Sequence, residues 1–187
     1  MKTKYIDKEI KYIGSQLSPH WIYKNFNIQG DAIVAFTGEC QVNLSEMVDI
    51  EDVINNEPIY SRNMLSFITE QFNITLHEGV LRQRLLMCII KELLEELGLL
   101  VKRNGDDLII DNKKLSVSIA TKSITSVLIH TGLNIISEGA PVAASGLTSE
   151  LGITDIKAFA LKVMNKYADE LEDISYACTK VRGVNEI

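Results

Sequence analysis

The chain has 187 residues, 46% of them hydrophobic, with 19 Lys+Arg against 25 Asp+Glu and a formal net charge of -6. That length suits one compact unit, and residues 1–187 are read as a single domain. The acid excess excludes a protein whose main task is gripping nucleic acid, because that work needs a basic surface to displace counterions from phosphates.

Residues 5–13 alternate charges with single apolar residues and read as a strand or a short helix. Ser18-Pro19-His20-Trp21 opens a helix, with Ser18 as N-cap and Pro19 at the first helical position, where a missing N–H does no harm. After the turn Gly30-Asp31, the run Ala32-Ile33-Val34-Ala35-Phe36 is a buried strand that Thr37-Gly38-Glu39-Cys40 ends. Residues 41–44 and Met47-Val48-Asp49-Ile50 form a second strand before the turn Asn55-Asn56-Glu57-Pro58. Residues 64–72, with Met64, Leu65, Phe67, Ile68 and Phe72, read as a helix.

The clearest helix covers residues 78–97. Apolar side chains from Val80 to Leu97 recur there at three- and four-residue spacings, and Gly98 follows as a C-terminal stop. The pattern then switches to β-formers. Residues 99–102 and 108–110 flank the hairpin turn Asn104-Gly105, a turn at Asp111-Asn112-Lys113 leads into residues 114–121, and residues 126–135 form a further strand. Gly139-Ala140-Pro141 is a loop, residues 148–152 a short helix, and residues 154–177 a long amphipathic helix capped by Thr154 or Asp155. Strands and helices mixed without βαβ regularity predict an α+β fold, an antiparallel β-sheet flanked by helices.

The most apolar stretch, residues 85–101, is interrupted by Lys91, Glu92, Glu95 and Glu96, so no helix is expected to cross a membrane. The N-terminus has no apolar core of the signal-peptide kind, which predicts a cytoplasmic location. Cys40, Cys88 and Cys178 are odd in number and widely spaced, so no disulfide framework or structural zinc site is expected.

The block from Gly105-Asp106-Asp107-Leu108 through Lys113-Lys114-Leu115-Ser116-Val117-Ser118, followed by His130-Thr131-Gly132-Leu133-Asn134, resembles the centre of biotin and lipoate protein ligases. Ile13-Gly14-Ser15-Gln16-Leu17 and Gly30-Asp31-Ala32-Ile33-Val34-Ala35 resemble the opening elements of that fold. The whole chain looks like a small, largely archaeal family of unassigned function sharing the biotin/lipoate ligase and class II synthetase-like fold. The resemblance implies a pocket over the sheet that binds a carboxylate- or acyl-containing small molecule, ATP with Mg²⁺ as cofactors, and a homodimer.

Residue by residue, the resemblance makes Asp107 the motif's Asp and Lys114 its Lys. Ser116 and Ser118 fall on its small-residue strand, and Gly132 and Asn134 on its closing strand. Lys114 then holds a carboxylate, carbonyl or phosphate oxygen; the alternative is a solvated hairpin lysine. His130 matches the His-Gly element of the acyl-transferring relatives, with Thr131 intervening, and is a base or donor there; otherwise it is a core histidine. Cys40 ends a buried strand where its thiol faces the same pocket and holds an acyl group as a thioester, as a cysteine does in some relatives, or is an inert buried thiol beside Glu39.

The ligases carry a glycine- and arginine-rich loop where Thr37-Gly38-Glu39-Cys40-Gln41-Val42 stand here, and a carboxylate there repels phosphate unless a metal intervenes. Arg62, Arg82 or Arg84 supply the missing anion contacts, or are surface arginines. The run Glu46, Asp49, Glu51, Asp52 is either a Mg²⁺ site or simply solvated. Loss of the loop also permits a second reading, a non-catalytic ligand-binding or protein-interaction module.

Overall fold

A computed structural model describes residues 1–184. In chain order the elements are β1 (Lys2–Tyr5), α1 (Trp21–Phe26), β2 (Ala32–Val42), α2 (Ile50–Asn55), β3 (Ile59–Phe72), α3 (Leu76–Glu96), β4 (Lys102–Asn104), β5 (Asp107–Ile110), β6 (Lys113–Lys114), β7 (Ser116–Lys122), β8 (Ser126–Ile136) and α4 (Ile156–Thr179). The main sheet runs β1-β2-β3-β8-β7, with β1 parallel to β2 and every other pair antiparallel. A second sheet, β4-β5-β6, is a pair of short hairpins. The mixed α+β architecture is as expected.

The main sheet is covered on both faces. On one, Ile33, Leu65, Phe67 and Leu133 pack against Leu86, Leu93, Val163 and Tyr167 of α3 and α4. On the other, Val34, Phe36, Met64 and Ile68 pack against Ile6, Tyr12 and Ile22. This double covering explains the largest departure from expectation. Residues 64–72 are not a helix but the C-terminal part of β3, and because both of its faces are apolar the period-two signal of a half-exposed strand disappears.

Four further expectations are corrected. The strand does not end at residues 37–40: β2 continues to Val42 with a bulge between Gly38 and Cys40. A Cβ on Gly38 would stand 2.4 Å from the Ile10 carbonyl oxygen, so glycine is what lets the N-terminal segment run along this strand. The strand expected over residues 47–50 is absent, replaced by a single helical turn at Leu44–Glu46 and by α2. There the Asp49 side chain accepts from the N–H groups of Glu51 and Asp52, and this capping outweighs the β-propensity of Val48 and Ile50. Helix α1 begins at Trp21 after a left-handed His20, with no side-chain cap from Ser18. Residues 148–152 are turns rather than a helix.

The long helices start where their caps dictate. Thr75 and Glu78 form a reciprocal capping box at α3, and Asp155 accepts from the Ala158 N–H at 2.9 Å to open α4. Asp111 and Asn112, both at positive φ (50° and 61°), make the tight turn that folds β6 back on β5. Among the described residues, no helix is long and apolar enough to cross a membrane.

Candidate ligand-binding site

The turn at Asp111 and Asn112 sets Lys114 at the end of β6, beside the start of β7. Its backbone is fixed from both sides: its N–H donates to Ala143 O at 2.9 Å and its carbonyl accepts from Ser145 N at 3.0 Å. The ammonium, on a side chain 40% exposed, lies 3.0 Å from Asp107 Oδ1. Two cavities meet here. One, of about 160 Å³, includes Tyr12, Asp106, Asp107 and His130 in its wall. The other, of about 120 Å³, includes Tyr60, Asn134 and Pro141. Both are lined by Asp52, Ile59, Lys114 and Val117, so they form one groove over the sheet with Lys114 at its waist.

Period two puts His130, Gly132 and Asn134 on the same face of β8, away from Leu133, which packs toward the helices. The His130 imidazole is 2% exposed, and its Nε2 lies 3.3 Å from Ser66 Oγ. The Tyr12 ring stacks on it at 3.8 Å between centroids. Burial pushes the imidazole down to about 3, so the ring is neutral at ordinary pH and a weak base. Tyr12 itself was missed in the sequence, since nothing in an alternating N-terminal segment signals a stacking partner more than a hundred residues away.

Gly132 sits opposite Ser66, and a Cβ on it would stand 2.2 Å from Met64 Sδ. The glycine thus makes room for Met64 beside the groove. Asn134 Nδ2 lies 3.5 Å from the Lys114 carbonyl oxygen, and its N–H donates to Leu115 O, which ties β8 to the base of the lysine. Asp107, Lys114, His130 and Asn134 are therefore brought together.

Other candidates are not. Cys40 is fully buried in the core beside Tyr12 and lines neither cavity; burial, then the Glu39 charge, pushes its thiol up to about 12. The hydroxyls of Ser116 and Ser118 border the groove but are committed to the fold. Ser116 Oγ accepts from Leu108 N at 2.8 Å, and Ser118 Oγ accepts from Gln83 Nε2 at 3.0 Å and meets Thr131 Oγ1 at 2.9 Å. Arg62 pairs with Glu138 on the surface, outside both cavities. Arg82 acts on Glu78 and on Tyr167 in the helical layer, and Arg84 pairs with Asp106 at 3.0 Å.

The segment Thr37-Gly38-Glu39-Cys40-Gln41-Val42 is strand, and the connection that overhangs the groove is residues 43–58. It contributes Glu46, Asp49 and Asp52 to the wall of the larger cavity, where Asp106 and Asp107 also stand and, among the described residues, Lys114 is the only Lys or Arg. Burial, then the nearby Asp49, raises the Asp52 carboxyl above its usual range, with Lys114 opposing. Asp106 is raised by burial against the pull of Arg84. These carboxylates repel a nucleotide's phosphates, and the arginine beside them, Arg84, is already paired with Asp106. Among the described residues no three His, Cys, Asp or Glu are grouped to hold a metal ion.

Comparison with known proteins follows the same lines. The family described as Domain of unknown function (DUF366) matches residues 1–182. The uncharacterized protein MJ0805 of Methanocaldococcus jannaschii is 39% identical over 180 residues, 93% of this chain and 81% of its own. A Pyrococcus horikoshii protein of unknown function superposes with a TM-score of 0.92 at 38% identity, covering 98% of each chain. Biotin protein ligase from Aquifex aeolicus, solved with biotin, gives 0.60 at 15% identity over 92% of this chain and 70% of its own. Ta0514 of T. acidophilum, with bound lipoic acid, gives 0.59 at 14% identity over 92% and 86%. The chain belongs to the DUF366 family, and its fold is that of the biotin and lipoate protein ligases.

Proposed function

We propose that this protein binds a small molecule bearing a carboxylate or acyl group in the groove over the sheet, with Lys114 meeting its oxygen. The observation that carries the reading is the position of Lys114 at the waist of the groove, a partly exposed cation fixed through its backbone and aimed by Asp107. Asp107 holds the ammonium without burying it, which leaves its remaining N–H bonds for a ligand. The biotin and lipoic acid bound to structures of the same fold are consistent with a ligand of this type.

Between an acyl-transferring enzyme and a binding module on the same scaffold, the surroundings favour the module. A thiol raised to about 12 forms little thiolate, and an imidazole lowered to about 3 takes up a proton poorly. The acid-lined connection also disfavours adenylation. Calorimetry with a series of short carboxylates, on the wild type and Lys114→Ala, tests the reading. At least a tenfold loss of affinity with unchanged circular dichroism is expected. Equal binding by both proteins sinks the role of Lys114, and ATP-dependent pyrophosphate release with any acid replaces the module by a ligase.

A further inference from the structure

We propose that the ligand of this groove also carries an ammonium group, received in the larger cavity by Asp52 and Asp49 with Glu46 beside them; the proposal rests on the reading of Lys114 as the carboxylate contact. The charges on the two banks are unequal. On the hairpin bank, Asp107 is matched by Lys114, and Asp106 by Arg84 at 3.0 Å and by Gln83 Nε2 at 3.0 Å. On the opposite bank, Glu46, Asp49 and Asp52 take part in no ion pair among the described residues. The backbone N–H groups at the start of α2 engage one oxygen of Asp49 only. Uncompensated carboxylates lining a partly buried cavity leave a strongly negative field there, and a cationic group is what relieves it.

An independent feature of the same wall points to a ligand. Tyr12 is 3% exposed and lines this cavity, yet its hydroxyl forms no hydrogen bond among the described residues. The hydroxyl is not one of the oxygens sealed in the core without a partner, so it opens on the cavity, where an ammonium donor or the carboxyl end of a ligand would pair with it in place of water. Among the described residues no three His, Cys, Asp or Glu are grouped to hold a metal ion, so the proposed cation is an organic ammonium, with a metal as the outcome that magnesium titration tests. Size narrows the class. About 160 Å³ is close to the roughly 150 Å³ cavity that takes up benzene, so the arm inside is a chain of about six heavy atoms. An amine at one end and a carboxylate or acyl group at the other describe a short amino acid of the ω-amino kind, or its acyl derivative.

Three probes separate the two ends: 6-aminohexanoate, hexanoate and 1,5-diaminopentane, titrated calorimetrically into the wild type, Asp52→Asn, Glu46→Gln and Lys114→Ala. The expected result is that 6-aminohexanoate binds at least tenfold tighter than hexanoate, and that Asp52→Asn erases the difference with the fold retained. Glu46→Gln reduces it as a second, milder variant. Binding of 6-aminohexanoate and the diamine that Asp52→Asn abolishes and Lys114→Ala leaves intact for both upholds the ammonium site while removing the carboxylate reading. Hexanoate binding as tightly as its amino analogue, with dependence on Lys114, overturns the ammonium site and keeps that reading. Indifference of the wild type to all three probes overturns it too. So does stabilisation by magnesium chloride alone that Asp52→Asn removes, since the acids would then serve a metal.

Discussion

The ring of Tyr12 lies on the imidazole of His130, centroids 3.8 Å apart and planes 15° from parallel, and seals that side of the histidine from water. The unfolded chain titrates this histidine near 6.5, whereas the folded protein holds it down to about 3. Between those values the unfolded state binds more protons, so stability rises with pH and is lost as pH falls below 6.5. The expected loss is about 1.4 kcal/mol per pH unit, or roughly 2 kcal/mol between pH 7 and pH 5. Urea unfolding at both values measures it. His130→Gln should lack this component, and identical pH sensitivity of the two proteins would show that the folded histidine titrates normally.

Cys40 is expected to be chemically silent. With its thiol raised to about 12 and no exposed surface, native treatment with iodoacetamide at pH 8 should alkylate the exposed Cys178 and leave Cys40 untouched. Peptide mapping reads the outcome. Rapid labelling of Cys40 would reopen the thioester chemistry that some ligase-like proteins use.

Lys114→Ala separates binding from folding. The pair with Asp107 is partly exposed on both sides, so its loss should lower stability by less than about 1 kcal/mol. Denaturant titration alongside the carboxylate titrations checks this. A loss of several kcal/mol would make Lys114 a structural residue and remove its claim on a ligand.

Gly132→Ala should cost about 1–3 kcal/mol, because the new methyl would meet Met64 Sδ at 2.2 Å and Val117 Cγ2 at 3.1 Å and would force the buried Met64 to shift toward the groove it borders. Adding Met64→Ala should recover part of the loss from the overlap. If the single variant proves neutral in urea, the contact between β3 and β8 is looser than drawn.

Amphipathic elements were legible in the sequence and doubly buried ones were not. Helices α3 and α4 carry one apolar stripe each, and Asn104-Gly105 lies at the first hairpin, although the two-residue turn falls one step later, at Gly105 and Asp106. β3 was lost because Leu65 and Phe67 face one layer while Met64 and Ile68 face the other, so its sequence lacks alternation. The site divides in the same way. Lys114, Asp107, His130 and Asn134 lie in a contiguous motif whose spacing survives in one dimension. Tyr12 and the acids of residues 43–58 reach the groove only through tertiary folding, and an acidic run reads as solvated surface until a cavity is found behind it. Ser116 and Ser118 fit the motif, yet hydrogen bonds to Leu108 and Gln83 claim them for packing.

The two banks of the groove are anchored very differently. Gln83 and Arg84 of α3 clamp Asp106 and Ser118, so the β4-β5-β6 sheet, β7 and the long helix behave as one jaw that carries Lys114 rigidly. The facing jaw is α2, six residues long with none buried, with Ile54 77% exposed and with Asp49 as its cap. A ligand of the proposed kind would meet one rigid bank and one lightly held bank, so displacing the acidic jaw alone would admit it without opening the sheet.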